Sequence, residues 1–206
     1  MILAPLPAKT KLLSAAMKLF RARGYDASTV DALCCEAGVT KGAFFHYFRS
    51  KEELAVAAVA FWNEWLEDLF RRAPYNQIGD PLERLFGYID FRAQLLSGAN
   101  LEERSCLLGT LAQETFLSHP AIREACGEGI AYHAAMVQKL VEDAKARYAP
   151  DANWSAESLA MYIQAVIQGA FIVAKAQNRF ANGVESFLHL RRYLEMLFRN
   201  VKNARS

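Results

Sequence analysis

The chain has 206 residues, 53% of them hydrophobic, which is enough for one sizeable buried core with a small extra subdomain. The net charge of +2 is unevenly spread: residues 1–51 hold eight Lys/Arg against three Asp/Glu, a net +5, and the rest is net −3. A basic quarter on a mildly acidic body is the footprint of a chain that docks one end on a polyanion, where a merely solvated charged face is the plainer alternative.

Residues 1–8 read as a loose arm. They lack a charged region before an apolar run and are broken by Pro5 and Pro7, which argues against a signal peptide. A first helix is predicted over about Lys9–Arg23. Its inner stripe is Leu12, Leu13, Ala16, Leu19 and Phe20, and Gly24 ends it. Ser28 or Thr29 can cap a second helix, with Asp31 in its first turn and Val30, Leu33, Cys34 and Ala37 on one face. Cys34 and Cys35, being adjacent, read as small helix residues rather than a strained disulfide. Gly38 suits the left-handed end of that helix, and Thr40 can cap the next. On this third helix Phe44 and Phe48 are four apart and face the core, together with Phe20 and Tyr25. Ser50 caps a fourth helix, with Glu53 completing a capping box.

Helix, glycine turn, helix is the helix-turn-helix arrangement, whose second helix lies in the major groove of DNA. Thr40, Lys41, Gly42, Ala43, Phe45 and His46 then face base edges or phosphates. Gly42 permits close backbone approach, and Ala43 or Phe45 can touch a thymine methyl. Thr29, Tyr47 and Lys51 read as phosphate clamps. His46 has a second reading as a solvent-exposed helix residue.

The fourth helix is predicted over about Lys51–Arg72. Leu54, Ala58, Phe61, Trp65 and Leu69 are at helical spacing, and Trp62, Leu66 and Phe70 widen the stripe. Pro74, Gly79 and Pro81 mark a break. A fifth helix spans about Pro81–Ser97, with Leu82, Leu85, Phe86, Ile89 and Ala93 inward. Residues 104–117 form a short helix with Cys106 in its first turn. There a thiol gains thiolate character, with help from Arg104, or is simply packing. A long helix follows, about Ala121–Arg147, with Ile130, His133, Ala134, Val137, Leu140 and Val141 on one face. His133 is either a satisfied core residue or a pocket lining, with Gln113 and Glu114 as candidate polar partners. Cys126 is on the same helix, and a Cys106–Cys126 disulfide is open to geometry. Ser155 caps an eighth helix that is apolar nearly all round. Its most apolar stretch, Leu159–Ala174, contains Gln164 and Gln168 and falls short of the ~18 apolar residues of a membrane span. Gly183 is read as the break before a ninth helix, whose apolar side is Val184, Phe187, Leu188, Leu194, Leu197, Phe198 and Val201. Two apolar C-terminal helices suggest a four-helix interface across a two-fold axis. The four cysteines include no C-x-x-C pair and no attendant histidine cluster, so no metal site or cofactor is expected.

The stretch A-G-V-T-K-G-A-F-F-H-Y-F-R-S-K-E-E-L, with the residues around it from about 10 to 55, resembles the DNA-binding signature of the TetR family of transcriptional regulators. The resemblance implies an all-α fold of about nine helices. Residues 1–51 would be the helix-turn-helix domain, and residues 52–206 a helical ligand-binding and dimerisation domain. It also implies a homodimer, joined through its two C-terminal helices, that grips a double-stranded DNA operator; with neither signal peptide nor membrane span read from the sequence, the expected compartment is the cytoplasm. Phe45 stands where the family usually has tyrosine, which implies the loss of one hydroxyl contact; Tyr47 can still serve. Residues 104–117 are similar to the ligand-domain segment of an electrophile-sensing sub-group. That similarity implies for Cys106 alone that it senses alkylation or oxidation.

The reading is a regulator, most simply a repressor, released by a small molecule (electrophilic or hydrophobic) or by modification of Cys106. Two rivals stand beside it. One is an enzyme with Cys106 as nucleophile and His119 or His133 as base, though no phosphate loop, metal cluster or catalytic motif accompanies them. The other is a DNA-binding protein without sequence preference.

Overall fold

The computed structural model describes residues 7–98 and 105–203, without the side chains of 98 and 200–203. Arm residues 1–6, Arg104 and the Val201 side chain lie outside the described residues. The described residues form nine α-helices and no strand. They are α1 (Ala8–Arg23), α2 (Val30–Ala37), α3 (Lys41–Tyr47), α4 (Lys51–Arg71), α5 (Pro81–Gly98), α6 (Leu107–Thr115), α7 (Pro120–Tyr148), α8 (Ala156–Gln177) and α9 (Phe180–Asn203). A short 3-10 turn, Pro74–Gln77, follows α4. The chain divides into two compact units, residues 1–67 with 105–129, and residues 68–104 with 130–206. The unit holding the helix-turn-helix thus reaches past residue 51 and recruits α6.

In the first unit local chemistry sets each boundary. Gly24, at φ 88°, stops α1 and donates its N–H to the Phe20 carbonyl. Thr29 rather than Ser28 caps α2, its hydroxyl accepting the Ala32 N–H at 3.1 Å; Ser28 is buried and donates to the Gly24 carbonyl. Gly38 closes α2 in the left-handed conformation, φ 63°, and nothing lies near where its Cβ would be. Conformation, not crowding, therefore favours glycine there. Thr40 caps α3 through the Ala43 N–H, and Ser50 accepts the Glu53 N–H. The Glu53 carboxylate reaches back to the Arg49 N–H, one residue earlier than the usual box. Leu12, Ala16, Phe20, Leu33, Phe44 and Leu54 are wholly buried and form the core. Trp62 is buried on α4, with the Arg21 guanidinium 4.8 Å from its ring centre, but Trp65 is 47% exposed.

Two polar latches fasten α6 to α1 within this unit. Arg21 Nε donates to the Ser105 carbonyl at 2.8 Å, and Ser105 Oγ donates to the Arg21 carbonyl at 3.0 Å. The Glu114 carboxylate accepts the N–H groups of Tyr25 and Asp26, at 2.6 and 2.9 Å.

The second unit packs α9 against α5 and α8. Its buried line on α9 is Phe187, Leu190, Leu194 and Phe198, while Leu188, on the apolar side read from the sequence, is exposed. Gly183 does not precede α9 but lies inside it. The break is Asn178, at φ 49°, which caps α8 through the Ala174 and Lys175 carbonyls. Gly183 serves close packing instead: a Cβ would fall 2.9 Å from the Ala170 carbonyl oxygen. By length and composition alone α8 could cross a bilayer, with a mean hydropathy of 1.5 over its best window. In the fold it buries Leu159, Ala160, Ile163, Gln164, Ile167, Ala170 and Ala174. Trp154, ahead of α8, packs edge-on against Phe198.

Candidate nucleic-acid interface and effector site

The third helix divides its side chains cleanly. Phe44 is wholly buried and Phe48 nearly so, which fixes the helix on the core. Thr40, Lys41, Gly42, Phe45, His46 and Tyr47 are exposed and Ala43 is half-buried, so these candidates share one open surface. Phe45, at 56% exposed, is a large apolar group in water with its ring edge-on to Phe44. His46 and Tyr47 are ring neighbours at 4.7 Å. A Cβ on Gly42 would meet nothing closer than the Thr40 hydroxyl at 3.7 Å. The fold therefore has room for alanine there.

Lys41 pairs with Asp31 of α2 at 2.7 Å, and both are open to water. The hydrogen bond to Asp31 raises the Lys41 pKa, so the ammonium stays charged. An exposed pair of this kind is easily exchanged for another anion. Thr29 is exposed beside it at the start of α2. Lys51, read from the sequence as a phosphate clamp, also makes contacts inside the unit. Its ammonium donates to the Tyr25 carbonyl at 2.9 Å and stands 3.9 Å above the Tyr25 ring, so it braces the start of α4 against the end of α1.

Cys106 is the N-cap residue of α6, half-buried, with no cap bond from its side chain. The residue before it, Ser105, is the one latched to Arg21. No disulfide joins any of the four cysteines, Cys106 and Cys126 included. Cys35 is exposed, and Cys126 is wholly buried. Burial, with Cys106 adding to it, pushes the Cys126 thiol up to about 12.

In the second unit His133 is buried, as its apolar face implied, but its polar partners are not Gln113 and Glu114. Gln113 donates to the Gly109 carbonyl of its own helix, and Glu114 is held by Tyr25 and Asp26. His133 instead meets Arg92 of α5, with Nη2 3.0 Å from Nε2, and Gln164 of α8, with Oε1 3.0 Å from Nδ1. Burial, then the Arg92 charge, lowers the His133 pKa to about 3, so the ring is neutral. Arg92 also donates from Nε to the Tyr88 hydroxyl at 3.0 Å. Neither Arg92 nor Tyr88 was singled out from the sequence. The available signal was a charged residue between Ile89 and Ala93 on an otherwise apolar face. The histidines proposed as bases for Cys106 are both committed. His133 lies between Arg92 and Gln164, and His119 is 4.7 Å ring-to-ring from Tyr25 and 3.4 Å from Glu52.

Residues 12–58 match the family model for bacterial regulatory proteins of the tetR family. Residues 81–181 match the model for the C-terminal domain of LmrA/YxaF-like transcriptional regulators. The chain is 28% identical over 169 residues to the uncharacterized HTH-type transcriptional regulator YxaF of Bacillus subtilis, covering 81% of this chain and 84% of that one. It is 26% identical over 168 residues to the HTH-type transcriptional regulator LmrA of the same organism, covering 81% and 85%. Among solved structures, the regulatory protein TetR from Rhodobacter sphaeroides matches with a TM-score of 0.80 at 24% identity, over 90% of this chain and 97% of that one. The reduced form of Escherichia coli NemR matches with a TM-score of 0.76 at 23% identity, over 90% and 96%. At those identities the structures bear on the fold alone.

Proposed function

Because the chain belongs to the TetR family of bacterial regulatory proteins, and so is a DNA-binding transcriptional regulator rather than an enzyme, we propose how this molecule reads DNA and what releases it. Two copies dock their α3 helices in successive major grooves, about 34–36 Å apart, on a pseudo-palindromic operator. Thr40, Lys41, Gly42, Ala43, Phe45 and His46 face the base edges and adjoining phosphates, with Thr29 and Tyr47 on the backbone. The observation that carries this reading is the exposed surface of α3, above all Phe45 beside a glycine whose fold has no need of it. The dimer forms through α8 and α9. Met161, Tyr162, Ala165, Gly169, Ile172 and Val173 recur at helical spacing on the open side of α8, and Leu188, Tyr193 and Met196 are exposed on α9. Such a regulator works where the DNA is, so the expected compartment is the cytoplasm.

Release follows a population shift driven by a small molecule in the second unit or by modification of Cys106. The position of Cys106, one residue from the Ser105–Arg21 latch, supports the thiol route: a bulky adduct there strains a bond to the helix that precedes the DNA-binding motif. The buried Arg92–His133–Gln164 cluster supports the small-molecule route.

The test follows anisotropy of labelled DNA from upstream of the protein's own gene, with wild type and Cys106→Ala. Each is titrated with N-ethylmaleimide and, separately, with a reducible oxidant. Release by wild type alone makes Cys106 the sensor. Equal behaviour of the two proteins removes the thiol route. Equal affinity for scrambled DNA would overturn sequence-specific binding.

A further inference from the structure

The Arg92 cluster has a one-sided hydrogen-bond inventory. Arg92 Nη2 is 3.0 Å from Nε2 and 3.4 Å from Nδ1 of His133, so it stands over the neutral ring rather than in line with either nitrogen's lone pair. Gln164 Oε1, 3.0 Å from Nδ1, accepts only, so Nδ1 carries the ring proton and donates it. With its oxygen on the histidine, the amide turns its NH2 away. Arg92 Nη1, Gln164 Nε2 and the Tyr88 hydroxyl proton, all donors, make no further hydrogen bond among the described residues, and the two nitrogens are not sealed off, since the buried atoms left without a partner are Trp62 Nε1 and Trp154 Nε1.

The charge is as lopsided as the donors. Arg92 is 7% exposed, His133 5% and Gln164 4%, and among the described residues the polar partners of Arg92 are Tyr88 and His133, with no carboxylate. His133 is neutral. Burial pushes Tyr75 up to about 12 and also raises Tyr88, so neither phenol supplies an anion. A buried charge without a counter-ion is costly. The ring of Phe70, 4.6 Å from the guanidinium centre, offsets only part of that. Phe70, Tyr75, Tyr88 and Phe91 form a continuous aromatic wall with centroid spacings of 5.6–5.9 Å.

We propose that Arg92, Gln164 and Tyr88 form the recognition end of a site for a small apolar or aromatic monocarboxylate. The carboxylate supplies the acceptors these donors lack and the single negative charge that Arg92 lacks, and the aromatic wall takes the hydrocarbon part. A phosphate or dicarboxylate brings more charge than one guanidinium matches, and a neutral amide or alcohol leaves it unpaired. As the identity of the effector, this rests on the small-molecule route above; as a binding site, it stands apart from it.

The test needs no DNA. Benzoate, phenylacetate and hexanoate are each compared with their primary amides by thermal shift and calorimetry on the full chain. At least one acid is expected to raise the unfolding midpoint at millimolar concentration while its amide does not. Arg92→Met is expected to lose the response, an affinity at least about tenfold weaker, and to keep an unliganded midpoint close to wild type. Gln164→Leu weakens binding less. Should Arg92→Met fail to fold, Arg92→Lys keeps the charge without the fork and must also bind more weakly. Equal binding of acid and amide, full affinity in the arginine variants, or no response to any of the three acids overturns the proposal. An acid that binds through Arg92 yet leaves the DNA complex intact upholds the site and removes it from the release mechanism.

Discussion

Glu114 and Gly24 occupy each other's space. A Cβ on Gly24 would lie 3.0 Å from both Cδ and Oε1 of Glu114, because that carboxylate is drawn in by the Tyr25 and Asp26 N–H groups. Glu114→Ala leaves two backbone donors to water or to nothing, a loss of about 1 kcal/mol at this partly open position. Gly24→Ala adds the strain of φ 88° to the clash. The two are therefore coupled: chemical denaturation should show Gly24→Ala costing less in the Glu114→Ala background than in wild type. Equal costs would mean that the carboxylate does not hold the turn.

The pH dependence of stability has a defined sign at His133. Its folded pKa, about 3, is below the ordinary 6.5, so the unfolded chain binds more protons between those values. Stability present above pH 6.5 is then lost as pH falls toward 3. Between pH 6.5 and 5, before most carboxylates titrate, wild type should lose midpoint temperature and His133→Gln should lose less. Parallel curves would place the protonation elsewhere.

Gly42→Ala separates folding from recognition. Alanine is the better helix former by about 1 kcal/mol, and its methyl finds free space within the fold. The variant should be at least as stable as wild type and bind operator DNA more weakly. Unchanged affinity would remove close backbone approach from the docking geometry.

Two lysines, 41 and 51, should behave differently. Lys41→Ala is expected to lower DNA affinity and reduce the slope of log affinity against log salt by about 0.9, without unfolding the protein. Lys51→Met should chiefly lower stability, because its ammonium is spent on Tyr25. Asp31→Ala frees Lys41 from its pair and should tighten binding to any duplex. Reversed roles would show in the same two assays.

Ile172→Glu tests the C-terminal faces. A carboxylate in the middle of the open side of α8 should convert a dimer to a monomer in sedimentation velocity and weaken operator binding with it. A dimer that persists would move the interface off α8.

Much of the first unit was legible because its signals are local. Thr29, Thr40, Ser50 and Gly38 each act on residues within one turn, and the sequence carries that chemistry openly. The start of α9 was misread because glycine has two uses. Gly183 looked like a stop but is a packing residue, while the stop fell to Asn178, whose side chain tolerates the left-handed conformation. The Arg92 cluster was half visible. His133 stood out on an apolar face, but its partners are 41 and 31 residues away on two other helices. The Glu114 latch spans 89 residues, and no spacing rule reaches that far.

The tryptophans give the molecule two optical channels. Trp62 and Trp65 belong to the first unit and Trp154 to the second. Trp62 is buried under a guanidinium, which shifts and quenches indole emission differently from the aromatic edge that Trp154 meets on Phe198. A chain carrying Trp62→Phe and Trp65→Phe emits from the second unit alone, and Trp154→Phe isolates the first. The response of each unit to an added compound can then be timed separately by stopped flow, with no dye attached.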